Sequence, residues 1–170
     1  KIQEMSAKYE ALPKDIQWHM IGHVQSNKVK YMAPFVDLIH GVDRSKLLRE
    51  IDKQALKNNR IIDCLLQIHI AQESTKFGFS ESEITEALDL AGTLNNVRVV
   101  GLMGMATFTE NTQQITEEFK GLKRLFDQLK PQQPQFSVLS MGMSGDYPLA
   151  IAQGSNMIRV GSKIFGARNY

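Results

Sequence analysis

Short runs of Ile, Val, Leu and Met recur along the chain, separated by longer stretches in which apolar residues return every three or four positions. Six runs read as strands: Ile16 to Ile21, Val36 to Val42, Ile62 to Ile70, Val97 to Met103, Phe136 to Met141 and Met157 to Val160. Most are continuous rather than alternating, as strands covered on both faces are. The stretches between them carry helical faces, for example Leu47, Leu48, Ile51, Ala55 and Leu56, or Ile115, Phe119, Leu122, Phe126 and Leu129. Ser80 with Glu83 has the form of a capping box ahead of Ile84, and Pro131 after Lys130 that of a helix stop.

Alternating strands and helices predict repeated βα units on a parallel sheet, either an open doubly wound sheet or a (β/α)8 TIM barrel. No G-x-G-x-x-G follows a strand, so the dinucleotide-binding open sheet lacks its fingerprint. A barrel spends about 30 residues on each unit. Six strands therefore predict a barrel cut short at its N-terminal end, because the last strand and its turn read as complete.

Composition narrows the setting. With 170 residues, 42% hydrophobic and 22% charged, the chain suits one domain with one core, and no linker or low-complexity segment divides residues 1–170. Its 20 basic and 18 acidic residues are scattered, without the blocks that track a phosphate backbone, so nucleic acid is not an expected partner. No stretch approaches the roughly 18 apolar residues of a membrane span, and no signal pattern opens the chain. Cys64 is the sole cysteine and lies in an apolar run, which predicts a buried, reduced thiol and a cytoplasmic location.

The segment with the densest chemistry is VLSMGMSGDYPLAIAQGSNMIRVGSKIFGAR, from Val138 to Arg168. It reads as strand, Gly-rich turn, short helix, strand, Gly-Ser turn and helix start. Gly142, Ser144 and Gly145 let backbone N–H groups and a hydroxyl approach a ligand, and Gly161 with Ser162 repeat the device. The loops after the last two strands of a barrel are a frequent phosphate site. The plainer reading is that these glycines permit tight turns and the serines cap helices. Arg159 interrupts an apolar strand, where an arginine is rarely buried without a fixed acceptor. It either faces a ligand in the barrel mouth or pairs with a core carboxylate.

MGMSGDYPLAIAQGSNMIRVGSKIFGAR, with WHMIGHVQSNKVKYM, LIHGVD, QIHIAQESTKFGF and GLMGMAT, resembles the pyridoxal 5′-phosphate (PLP) homeostasis family in several separated motifs, in order, from Lys1 to Arg168. The resemblance implies a fold-type III barrel like the N-terminal domain of alanine racemase, with PLP at the C-terminal mouth of the strands. It implies that Ser144, Gly161 and Ser162 hold the phosphate, with Gly142 and Met143 also at the cofactor, and that Arg159 faces the pyridine nitrogen. An arginine neither accepts a proton nor readily gives one up, so that nitrogen stays unprotonated and the ring is a weak electron sink. His19, Ile21, Gly22, Gln25, Ser26, Asn27 and Lys28 fall near the mouth; Asn27 either bonds the ligand or caps the helix through Val29 and Met32. Met103 and Met105 are expected to pack beneath the ring.

The family's PLP lysine lies at the end of a first strand and is expected upstream of Lys1, as is a Gly-Glu-Asn motif. Lys28 and Lys76 do not replace it by motif. A barrel lacking that strand would leave edges near Ile16 and Val160 unpaired. Rival readings are a racemase or decarboxylase of the same fold type, which would need a second β domain not expected after Tyr170, a metal hydrolase built from His19, His23, His40 and His69, and a phosphosugar barrel enzyme using Glu73 or Asp43. The last two carboxylates read more simply as caps or surface groups. The resemblance implies a PLP carrier or buffer that supplies apo-enzymes, monomeric at full length and without dedicated turnover.

Overall fold

A computed structural model describes residues 2–72 and 77–166. In chain order the elements are α1 (Ile2–Ala11), β1 (Trp18–Met20), α2 (Val29–Met32), β2 (Val36–Val42), α3 (Ser45–Lys57), β3 (Ile62–Ile68), α4 (Ile84–Gly92), β4 (Val97–Gly104), α5 (Thr112–Leu129), β5 (Val138–Met143), α6 (Tyr147–Ala152), β6 (Met157–Arg159) and α7 (Ser162–Phe165). The six strands are parallel and lie in sequence order, β1-β2-β3-β4-β5-β6. That is the order of a barrel wall rather than a doubly wound sheet, which reverses order at a switch point.

Strand periodicity separates two faces. On β3, Ile62, Cys64, Leu66 and Ile68 join the large cluster beneath the helices, whereas Leu65 joins a small cluster on the opposite face with Leu38, Val100 and Met103. Helix α3 contributes Leu47, Leu48, Ile51 and Ala55 to the large cluster, and α5 contributes Ile115, Phe119, Leu122, Leu125 and Phe126. A fully buried Leu, Ile or Phe contributes about 1.5–3 kcal/mol, so this helix-covered face holds the fold together. Leu56 departs from its expected place on the packing face and is exposed, because helical spacing puts it on the far side of α3 from the buried stripe of Leu47, Leu48, Ile51 and Ala55.

Strand β4 changes its alternation midway. Val97 and Val99 pack under the helices, then Leu102 does, while Val100 and Met103 both face the concave side. The register shift against Cys64 and Leu65 marks one extra residue in β4, a bulge. Gly101 makes it fit: a Cβ there would sit 1.8 Å from the Val138 carbonyl oxygen.

Local signals act as expected, with small shifts of boundary. Ser80 N and Oγ both donate to Glu83 Oε2, at 2.8 and 2.7 Å, in the turn before α4. Helix α5 ends at Leu129 and passes through a 3₁₀ turn containing Pro131. Strand β5 starts at Val138 instead of Phe136, because Phe136 turns to stack on Phe126 at a centroid distance of 5.7 Å. The two outer strands, β1 and β6, each have one neighbour among the described residues.

Candidate ligand site at the strand mouth

Inside the curve of the sheet, polar side chains replace the apolar layer towards the C-terminal ends of the strands. His40 on β2 and Ser140 on β5 are buried among apolar neighbours, and their Nδ1 and Oγ atoms lie 3.0 Å apart. His40 Nε2 is 3.2 Å from Nδ1 of His19 on β1. Arg159 on β6 donates from Nη1 to Ser140 Oγ at 2.8 Å and from Nη2 to the Gly104 carbonyl oxygen at 3.0 Å. A continuous polar chain thus runs from β1 through β2 and β5 to β6.

Electrostatics keep this chain largely uncharged except at Arg159. Burial, then the nearby Arg159 and His19, push the His40 imidazole down to about 3. His19 is lowered too, chiefly by burial. The Arg159 guanidinium falls to about 10, also through burial, with Asp146 opposing the change, so it remains a cation near neutrality. It is 5% exposed. Its acceptors are a hydroxyl and a carbonyl, not the core carboxylate considered as one alternative from sequence. A buried cation without a paired anion is costly. Nε of Arg159 is also buried and lacks a hydrogen-bond partner. Among the described residues, the other buried side-chain donor in that condition is Trp18 Nε1, which packs with Tyr9 and Phe35.

The two turns lie beside Arg159. Gly142, at φ +95°, closes β5 against α6: a Cβ would meet Ala150 Cβ at 2.6 Å and the Tyr147 Cα at 2.9 Å. Met143 is exposed, and its N–H donates to Asp146 Oδ1 at 2.6 Å. Gly161 N donates to Ser144 Oγ at 3.1 Å, which ties the two turns together and leaves the Ser144 hydroxyl proton free to turn outwards. A Cβ at Gly145 or Gly161 would meet nothing within 4 Å, so backbone there faces open space. Ser162 opens α7 and is exposed. Packing requires the glycine at Gly142 and does not require one at Gly145 or Gly161.

Of the remaining expected residues, His19 joins the polar chain, Met103 is buried in the inner cluster and Ile21 is exposed past the end of β1. Asn27 is exposed within a 3₁₀ turn, and α2 follows Lys28 with no side-chain cap, so the capping alternative is not realised. Asp43 is not a surface group. It is 8% exposed, accepts from His23 Nδ1 at 2.9 Å and pairs with Arg44, while His23 stacks on Phe77. Lys76 and Glu73 lie outside the described residues, as do Lys1 and Arg168. His40 and Ser140 were not singled out as ligand-site residues from sequence. Their signal was the one that flagged Arg159, a polar residue inside an apolar strand, in LIHG and VLSM.

A parallel barrel wall whose mouth carries anion-type turns and a buried arginine defines a class, the alanine racemase N-terminal domain, and the profile of that domain family matches residues 1–169. Within that class the chain belongs to the pyridoxal phosphate homeostasis protein family. It is 41% identical to the pyridoxal phosphate homeostasis protein of Aquifex aeolicus (strain VF5) over 175 residues, covering all of this chain and 75% of that protein. The protein of the same name from Vibrio alginolyticus is 36% identical over 170 residues, covering all of this chain and 72% of the relative. The structure of PipY from Synechococcus elongatus PCC7942 with PLP bound superposes with a TM-score of 0.85 at 32% identity, over 98% of this chain and 79% of that one. No helix among the described residues is long and apolar enough to cross a membrane.

Proposed function

We propose that this chain binds pyridoxal 5′-phosphate at the C-terminal mouth of its strands and serves PLP homeostasis as a carrier or buffer that supplies apo-enzymes. The observation that carries the reading is the buried Nε of Arg159, a donor without a hydrogen-bond partner beside two anion-type turns. PLP presents the complementary groups, an aromatic nitrogen acceptor and a phosphate. Its relatives bear the homeostasis name, and PipY holds PLP in the same fold.

In this arrangement Ser144, Gly161 and Ser162 hold the phosphate, with Gly142 and Met143 beside it. Arg159 Nε–H donates to the ring nitrogen, and Met103 underlies the ring. His19, Ile21 and Asn27 border the mouth. PLP supplies electron-withdrawing capacity when bound, and an arginine partner, which keeps the ring nitrogen unprotonated, restrains it. That favours holding the molecule over turning over a substrate. The reading extends to a single domain, to a monomer at full length and to the cytoplasm, in keeping with the free, buried Cys64.

Titration of the full-length protein with PLP, followed by absorbance, tests the reading. Saturable binding that inorganic phosphate competes away and that Ser162→Ala and Arg159→Met weaken supports it. Absence of saturable binding, or binding indifferent to both substitutions, overturns it.

A further inference from the structure

Arg159 is held by two anchors on two strands: the Ser140 hydroxyl on β5 and the Gly104 carbonyl at the end of β4. A guanidinium is planar, so fixing both Nη atoms fixes the direction of the Nε–H bond. One anchor is a backbone carbonyl and cannot turn. The other is a hydroxyl and can.

Hydrogen-bond accounting shows what restrains that hydroxyl. Ser140 Oγ accepts from Arg159, so its own proton is available for another acceptor, and His40 Nδ1 stands 3.0 Å away. A neutral His40 that accepts at Nδ1 carries its proton on Nε2, which donates to His19 Nδ1 at 3.2 Å. Donors then run in one direction from Arg159 to Ser140, His40 and His19, and none of these three contacts sets two donors against each other. Without His40 the Ser140 hydroxyl would be free to rotate within an apolar layer, and the guanidinium would lose a fixed acceptor. A merely satisfied core pair would explain the His40–Ser140 bond. It would not explain why the pair ends on a cation whose third nitrogen is buried without a hydrogen-bond partner.

We propose that Ser140 and His40 are positioning residues that aim Arg159 Nε at the ligand's aromatic nitrogen, selecting a ring with an unprotonated nitrogen acceptor. The inference rests on the PLP reading above and adds to it the residues that set ring-nitrogen recognition.

The test compares two ligands on the full-length protein: PLP, and its carbocyclic analogue with CH in place of the ring nitrogen. Wild type binds PLP about tenfold more tightly than the analogue, the worth of one hydrogen bond from a charged donor. Ser140→Ala, a near-isosteric change, and His40→Leu erase most of that preference by weakening PLP alone. His40→Asn, whose amide oxygen can accept from Ser140, restores it. Urea midpoints of the unliganded variants report any structural effect separately. Equal weakening of both ligands, or an unchanged preference in Ser140→Ala, overturns the inference and leaves PLP binding standing. A wild type that binds neither ligand overturns both.

Discussion

Nδ1 of His40 on β2 lies 3.0 Å from the hydroxyl of Ser140 on β5, a residue one hundred positions later in the chain. In a flat sheet these strands would stand about 14 Å apart, three spacings of about 4.8 Å. Their contact therefore measures the curvature of the wall, and it makes both residues part of one mouth.

The same contact predicts a pH dependence. The folded value of His40, about 3, lies below its ordinary 6.5, so between the two the unfolded chain binds the extra proton. Stability from this group is complete above 6.5 and is lost as pH falls towards 3. Urea unfolding at pH 7, 6, 5 and 4 is expected to show a decline approaching ~1.4 kcal/mol per pH unit from His40. His40→Asn, which cannot titrate, removes that part of the slope.

Two glycines in the turns separate packing from binding. Gly142→Ala forces a side chain into positive φ against Ala150 and Tyr147, and is expected to cost about 2–4 kcal/mol in the urea midpoint. Gly161→Ala meets open space and is expected to cost under about 1 kcal/mol while weakening PLP in a titration, because its methyl group enters the ligand's side of the turn.

Asp43 is expected to matter more than its partner His23. Removing a buried carboxylate leaves Arg44 without its ion-pair partner, so Asp43→Ala is predicted to destabilise by about 2 kcal/mol. His23 is 39% exposed at the side chain, and His23→Ala is predicted to cost less than about 1 kcal/mol. Thermal melts of the two variants check the order.

Cys64 should be inert. The side chain is fully buried and its thiol is pushed well above the ordinary range by burial, with Asp63 adding to the effect. A thiol reagent is expected to leave the native protein unmodified and to label it in step with urea unfolding. Rapid labelling without denaturant would contradict the burial.

Much of the candidate site is legible in the sequence. Gly142, Ser144, Gly161 and Ser162 lie at strand ends in a pattern that hydrogen-bonding geometry ties to anions, and Arg159 breaks an apolar strand, where a cation is rarely buried without a fixed acceptor. Asp43 was misread as a cap or surface group because its position after a strand is where caps occur. Beside its chain neighbour Arg44 it also pairs with His23, twenty positions earlier, and that contact is not encoded by spacing along the chain.

By itself the amino-acid sequence determined the parallel βα order, the helix-packing faces, the pair of turns and the family, since each of these is written in local periodicity or in a contiguous motif. Tertiary structure alone decided which side of β4 faces the hollow, because a bulge at Gly101 reverses the alternation midway. It alone decided, too, that His19, His40, Ser140 and Arg159 form one polar chain. The link in the middle of that chain, His40 to Ser140, joins strands three places apart across the curve, and curvature is a property of the packing of all six strands rather than of any segment within them.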